Sequence, residues 1–291
     1  MKIAINLMMV LILFLSTPVL ADNSSPKIVE PEQTINSILK SLTNQQRQSI
    51  QQILSDAQPQ MKALYDSFLL VAPKAEAKKN DTTMATSQLW QDASHVFKDI
   101  DLQLAAILTN EQMVLHRAAL APADSKLSTK DTSKESENDS AFAATCYVDD
   151  CWYSPYYEEW ARYLNYVGYT YAYYHYAYES SNSNAYNAYY NALTAGGYIK
   201  SAMKYAGPAF FAATYVGNIA YEDGSCYTKI AFDYANVAED YAYSAFDYAE
   251  ETYSKYGGTY GYYSYQYNYY AMLYTDYARD YAYNCQNCCM N

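Results

Sequence analysis

The chain has 291 residues, 51% of them hydrophobic, and carries a formal net charge of −12. That length is enough for two ordinary domains. With 19 lysines and arginines against 31 aspartates and glutamates, the chain lacks the clustered basic surface that phosphate backbones require, which argues against a nucleic-acid partner.

The N-terminus reads as a secretory signal. Lys2 gives a positive start, Ile5 to Leu15 is an almost unbroken apolar run, and Pro18-Val19-Leu20-Ala21 offers a cleavage site after Ala21. The run is too short, at roughly 10–14 residues, for a membrane span of about 20. The mature chain is expected to begin near Asp22 and to be periplasmic or secreted, with no transmembrane segment after signal cleavage.

Two strings then repeat. Leu42-Thr43-Asn44-Gln45-Gln46 returns as Leu108-Thr109-Asn110-Glu111-Gln112. Thr43 and Thr109 are placed to accept from the N3 amide of a helix while Gln46 and Gln112 reach back to the N-cap amide. Leu42 and Leu108 precede each box as hydrophobic staples. Helical three-four spacing follows in Ile50, Ile53, Leu54, Ala57, Met61, Leu64 and Phe68, with Pro59 expected to kink it. Leu89, Ala93, Val96, Phe97, Ile100, Leu104 and Ile107 repeat the pattern. With a short segment near Ile35 to Leu39, about four helices are predicted over 22–120.

The paired boxes, with Gln46-Arg47 leading into Ile50 and Ile53, resemble the LTxxQ proteins, the Spy/CpxP family of periplasmic stress proteins, over roughly residues 32–120. The resemblance implies a small helical hairpin module that pairs into a cradle. It further implies ATP-independent chaperone action, envelope-stress modulation or metal-responsive sensing. The family's concave face is usually basic, and this half is not notably so.

Residues 121–145 are rich in Ser, Thr, Lys, Asp and Ala without apolar periodicity, and read as a flexible linker. Beyond them lies a different composition, 146–291: of 38 tyrosines, only Tyr65 precedes it. All six cysteines also fall there: Cys146, Cys151, Cys226, Cys285, Cys288 and Cys289. An even count in an exported chain predicts disulfides, with fifteen pairings open. The closing Cys-x-x-Cys-Cys leaves a soft-metal or redox site as the alternative.

Tyrosine in this half follows a heptad. Tyr227, Ala231, Tyr234, Ala238, Tyr241, Ala245, Tyr248 and Thr252 alternate four-three, a seam of large and small residues. Tyr260, Tyr263, Tyr267, Tyr270, Tyr274, Tyr277 and Tyr281 do the same. Ser154-Pro155 before Glu158 and Glu159 reads as a helix start. Gly196-Gly197, Gly207-Pro208, Glu222-Asp223-Gly224-Ser225 and Gly257-Gly258 read as punctuation. Helices are predicted near 155–179, 185–206, 208–222, 226–256 and 259–284. The last two should form an antiparallel hairpin that brings Cys226 close to Cys285 and its neighbours, where a bridge would tie its open end. The fold class expected is all-α: a small LTxxQ-type module plus a disulfide-tied, Tyr-rich helical bundle.

So many tyrosines exceed what one core is expected to hold, which puts many at the surface as rigid contact area. They suit the capture of unfolded or peptide-like clients, self-assembly or cross-linking in a matrix, or cation binding beside the carboxylates. The bland reading is a Tyr/Ala-biased repeat in which Tyr stands in for Leu, and Asp233, Asp240 and Asp247 form a solvated face. No catalytic constellation is present: His95, His116 and His175 form no zinc motif, and there is no nucleophile elbow or phosphate loop. The expectation is an exported binding protein that captures apolar or aromatic segments, not an enzyme and without a cofactor. A Tyr-rich structural protein or a metal-binding sensor is the alternative.

Overall fold

Among the described residues, eight α-helices follow the two kinds of pattern. The computed structural model describes residues 31–72, 83–121, 148–211, 221–222 and 225–286. The expected signal, nearly all of the linker, and Cys146, Cys288 and Cys289 lie outside them. The first four helices are α1 (Pro31–Ser41), α2 (Asn44–Val71), α3 (Thr83–Ala105) and α4 (Asn110–Ala119). The second four are α5 (Val148–Tyr174), α6 (Ser183–Phe211), α7 (Tyr227–Tyr256) and α8 (Thr259–Gln286). A π-turn, His175–Glu179, closes α5. The only pairing outside helices among the described residues is a two-residue antiparallel ladder, Tyr221–Glu222 with Ser225–Cys226. The chain is all-α.

Several boundaries move. Ser154-Pro155 does not start a helix: α5 begins at Val148, and Pro155 sits inside it. Ser154 is buried instead of capping. Gly196-Gly197 and Gly207-Pro208 do not break α6, which runs through both to Phe211. Part of the span expected to be a helix over 208–222 therefore belongs to α6, and its end, Tyr221–Glu222, is in the ladder. Packing on both sides holds these helices through weak formers that propensity alone would have used as stops.

Helices α5 to α8 make an up-down-up-down bundle in which α5 packs on α6 and α8, and α7 packs on α6 and α8. What fills its centre is not tyrosine. On α7 the buried stripe is Thr228, Ala231, Ala235, Ala238, Ala242, Ala245, Ala249 and Thr252. Tyr234, Tyr241 and Tyr248 are only half-buried beside it. The same heptad of small residues runs down α6 as Ala185, Ala188, Ala192, Ala195, Ile199, Ala202 and Ala206. On α8 it is Gly261, Ser264, Asn268, Ala271, Thr275, Ala278, Ala282 and Cys285. On α5 the matching stripe mixes small residues with larger polar ones: Ser154, Glu158, Ala161, Asn165, Gly168, Ala172 and His175.

Small residues on all four inner faces let the backbones approach closely, and the larger side chains of one helix then need gaps on the next. A Cβ on Gly168 would lie 2.9 Å from Asn268 Oδ1, and one on Gly261 would lie 2.9 Å from His175 Cε1. Gly196 likewise leaves room for Asn165, whose side-chain amide crosses to α6 and donates to the Ala192 carbonyl at 2.8 Å. The α5–α8 register therefore holds without slip from Cys151–Cys285 through Gly168–Asn268 to His175–Gly261.

The tyrosines flank this seam and zip neighbouring helices together. Tyr157 stacks on Tyr281 at 5.3 Å between α5 and α8. Between α6 and α7, Tyr198 stacks on Tyr241 at 5.6 Å and Tyr205 on Tyr234 at 5.8 Å. Tyr253 stacks on Tyr265 at 5.8 Å between α7 and α8. Such pairs bury large area while leaving hydroxyls free to reach an edge. The tyrosine surplus goes into intramolecular zippers, so that among the described residues only Tyr190, Tyr243, Tyr256, Tyr269 and Tyr283 are exposed. The expectation that many tyrosines lie at the surface is corrected accordingly.

The two halves share one core. Phe68 of α2 packs against Trp160, Tyr267 and Tyr270 of the bundle. Tyr65 donates to Gln266 Oε1 at 2.6 Å, and Trp90 Nε1 donates to Glu159 Oε1 at 2.8 Å. Tyr189 and Tyr169 donate to the carbonyls of Ala119 and Leu120, satisfying the free end of α4.

Candidate functional site

A cleft of about 520 Å³ opens where α2 crosses the end of the bundle opposite the disulfide. Three elements build it. Gln51, Ser55 and Gln58 come from one face of α2, and Tyr178 from the π-turn. Tyr256 and Tyr260 flank the α7–α8 turn. That turn is made by Gly257 and Gly258 at φ +67° and +87°, a region that glycine enters without a Cβ clash. Gly258 is doubly required, because a Cβ there would collide with the Glu179 carboxylate.

Glu179 organises the floor. Its Oε1 accepts from the Thr259 N–H at 3.1 Å, and its Oε2 from the Tyr260 and Gly261 N–H groups at 3.1 and 3.2 Å. The carboxylate thus caps the N-terminus of α8, where the helix dipole favours negative charge. His175 Nδ1 lies 2.8 Å from Glu179 Oε2, and its Nε2 is buried without a partner. The extra residue of the π-turn swings Glu179 out of α5's path and over the next helix, a use typical of π-bulges. Tyr260 donates to the Leu54 carbonyl and ties α2 to this floor. Burial pushes the Tyr178 phenol up to about 12.

Compared with protein-family models, curated proteins and solved structures, the chain matches none.

Of the residues singled out from the sequence as partner-binding or structural candidates, only Tyr260 lines the cleft; Leu54, His175, Gly257 and Gly258, read there as core, histidine and turn residues, line it too. The six motif residues come together elsewhere. Thr43 and Thr109 each close a capping box with Gln46 and Gln112, and Leu42 and Leu108 are buried beneath them. The two boxes also clasp each other: Gln46 Nε2 donates to the Ile107 carbonyl at 2.9 Å and to Gln112 Oε1 at 3.0 Å. Gln112 Nε2 donates in return to the Ser41 carbonyl at 3.1 Å. The relation is a local pseudo-two-fold.

The other heptad tyrosines divide by position. Tyr263, Tyr267 and Tyr274 are buried. Tyr227, Tyr234, Tyr241, Tyr248, Tyr270, Tyr277 and Tyr281 are half-buried along the zippers. Cys285 does not bridge to Cys226. It pairs with Cys151, with Cα atoms 4.8 Å apart, because α5 and not α7 presents a cysteine at its register position. Cys226 ends the two-residue ladder just before α7.

Sequence reasoning missed His175 and Glu179 as a unit. Their i,i+4 spacing was a visible signal, but the tyrosine run around them hid it. His116, named from the sequence only as one of three histidines without a zinc motif, is buried against Tyr173 Oη at 3.0 Å from its Nδ1, and burial lowers its pKa to about 4. Among the described residues no group of three or more His, Cys, Asp or Glu is arranged to hold a metal, and no helix is long and apolar enough to cross a membrane.

Proposed function

We propose that the protein is an exported, ATP-independent binding protein of the LTxxQ type, which holds uncharged, aromatic-bearing segments of partly unfolded polypeptides in the cleft beside Glu179. The observation that carries this reading is the composition of the wall. Tyr178, Tyr256 and Tyr260 supply aromatic surface, and Gln51, Ser55 and Gln58 supply groups that both donate and accept, a pairing that suits a peptide backbone with its side chains. The wall's one carboxylate, Glu179, is already committed to three backbone N–H groups and to His175. Among the described residues no lysine or arginine lines it; Lys255 stands outside, its ammonium 5.3 Å from the centre of the Tyr256 ring.

The test is suppression of aggregation of a denatured client, without ATP, by the mature protein and by Ser55→Trp. Ser55 is exposed on α2, so the indole fills the cleft without entering a core. Wild-type suppression at near-stoichiometric amounts, lost severalfold in the variant, is the expected result. Equal suppression by both would move binding off the cleft, and none by either would end the capture reading.

A second reading, a structural protein that assembles through tyrosine, draws on the exposed Tyr190, Tyr243, Tyr256, Tyr269 and Tyr283. Dityrosine fluorescence in material from native cells would favour it; uncross-linked monomer counts against it.

A further inference from the structure

Glu158 stands in the inner seam of α5, where the other helices carry alanine, serine or threonine at most positions. It is 0% exposed, and neither carboxyl oxygen has a hydrogen-bond partner. The α5–α8 register, fixed by Cys151–Cys285 on one side and Gly168–Asn268 on the other, places Ala278 opposite it. One turn away, Ser154 Oγ is also buried without a partner. Beside Ser154 lies a void of about 10 Å³, closed by Thr228, Ala282 and the disulfide, room for about one water.

The charges around this seam lie on outer or flanking faces. On α5, Arg162 pairs with Glu159, and on α8, Arg279 pairs with Asp276 and Asp280. From α7, Glu239 also meets Arg279, and Asp233 pairs with Lys229. Lys200 and Lys204 of α6 are exposed, as is Asp92 beyond Trp90 on α3 to a lesser degree. Among the described residues none supplies a counter-ion, and an unpaired buried carboxylate costs far more than a buried neutral acid.

We propose that Glu158 is a proton-operated latch. As the neutral acid it lets α5 and α8 close their seam beside the Cys151–Cys285 disulfide, and as the carboxylate it forces that end to open and admit water. The latch is independent of the cleft, which lies at the other end of the bundle.

Burial is the sole cause that raises this carboxyl well above its ordinary value of 4.5. The sign follows. Below the unfolded-chain value both states hold the proton, and Glu158 takes nothing from stability. As pH rises past it, the unfolded chain ionises first, and stability falls until the folded carboxyl also loses its proton.

The test is urea unfolding of the oxidised mature chain at pH 5 and pH 8, for wild type, Glu158→Gln and Glu158→Leu, with an infrared spectrum of each. Wild type should lose at least about tenfold in its folded-to-unfolded ratio relative to either variant over that interval, since one proton per molecule is worth up to about tenfold per pH unit. At pH 7 the wild-type-minus-variant difference spectrum should show the carbonyl stretch of the protonated Glu158 carboxyl, while Glu239, which burial pushes up to about 7, is common to all three proteins and cancels. Identical pH dependence in wild type and the leucine variant, or no such band in wild type, overturns the proposal. Should Glu158→Gln fail to fold, the leucine variant and the wild-type band decide the matter.

Discussion

Gln46 and Gln112, 66 positions apart, are joined by a 3.0 Å hydrogen bond between their side-chain amides while each also closes its own helix cap. One glutamine therefore serves three ends at once: its own N-cap, the carbonyl before the other box, and the other glutamine. This makes the pair a lock on the whole α1–α4 module, and sets its energetics.

Gln112 is buried and Gln46 half-buried, so the two deletions should differ. Gln112→Ala should cost about 2 kcal/mol and Gln46→Ala about 1 kcal/mol, the range for losing partly buried hydrogen bonds. The double variant should cost less than their sum by about 0.5–1 kcal/mol, the size of coupling between residues in one network. Urea unfolding of all four proteins checks this. Strict additivity would mean that the two boxes act as separate caps.

The small-residue seam should resist enlargement. Ala238 and Ala192 are 0% exposed, and the facing stripes hold no gap for a larger side chain. Ala238→Leu or Ala192→Leu should destabilise by about 3 kcal/mol, the upper end for overpacking. Tyr243→Leu, on the exposed face of α7, should stay within about 0.5 kcal/mol of wild type. Thermal unfolding by circular dichroism separates the two classes.

The Cys151–Cys285 bridge closes a loop with a sequence separation of 134. Replacing both cysteines by alanine should cost about 4 kcal/mol, mostly through the freed unfolded chain, and lower Tm by about 10 °C. Calorimetry of the double variant beside oxidised wild type measures it. A Tm within 2 °C of wild type would show that the seam needs no tie at this end.

Stability should fall at both ends of the pH scale for different reasons. Burial lowers the His116 pKa to about 4 from its ordinary 6.5, so its contribution is present above the unfolded value and lost as pH falls from about 6.5 towards 4. His116→Leu should flatten that acid limb. Burial raises Tyr171, Tyr173, Tyr174 and Tyr267 well above 10. Their contribution is full below the unfolded value and is lost as pH climbs beyond it. Their phenolate absorbance should therefore appear in one cooperative step together with loss of helical signal. Gradual phenolate formation in an intact helical protein would contradict this burial.

Much of this fold could be read from the chain in order. Threonine and glutamine three apart specify a cap wherever a helix begins, which is why Thr43–Gln46 and Thr109–Gln112 were legible. Four-three spacing likewise specifies α7 and α8 to within a residue or two, because local periodicity is a property of the segment itself.

Which member of the heptad faces inward is not such a property. Tyr234 and Ala238 alternate in one seam on paper. In the bundle the alanines take the centre, because four helices close only if their inner faces are small, and the tyrosines are pushed to the flanks where neighbouring helices supply rings to stack on. Cys285 has several cysteines within its half of the sequence, and antiparallel register alone selects Cys151. The cleft is likewise a product of assembly: Gln51, Glu179 and Gly258 carry no shared signal and meet only when α2 lies across the end of the bundle. Sequence determined the periodic helices and the two threonine–glutamine caps; the ends of α5 and α6, the choice of buried face, the bridge and the cleft required other helices to be present, since each is a contact between segments that no single segment encodes.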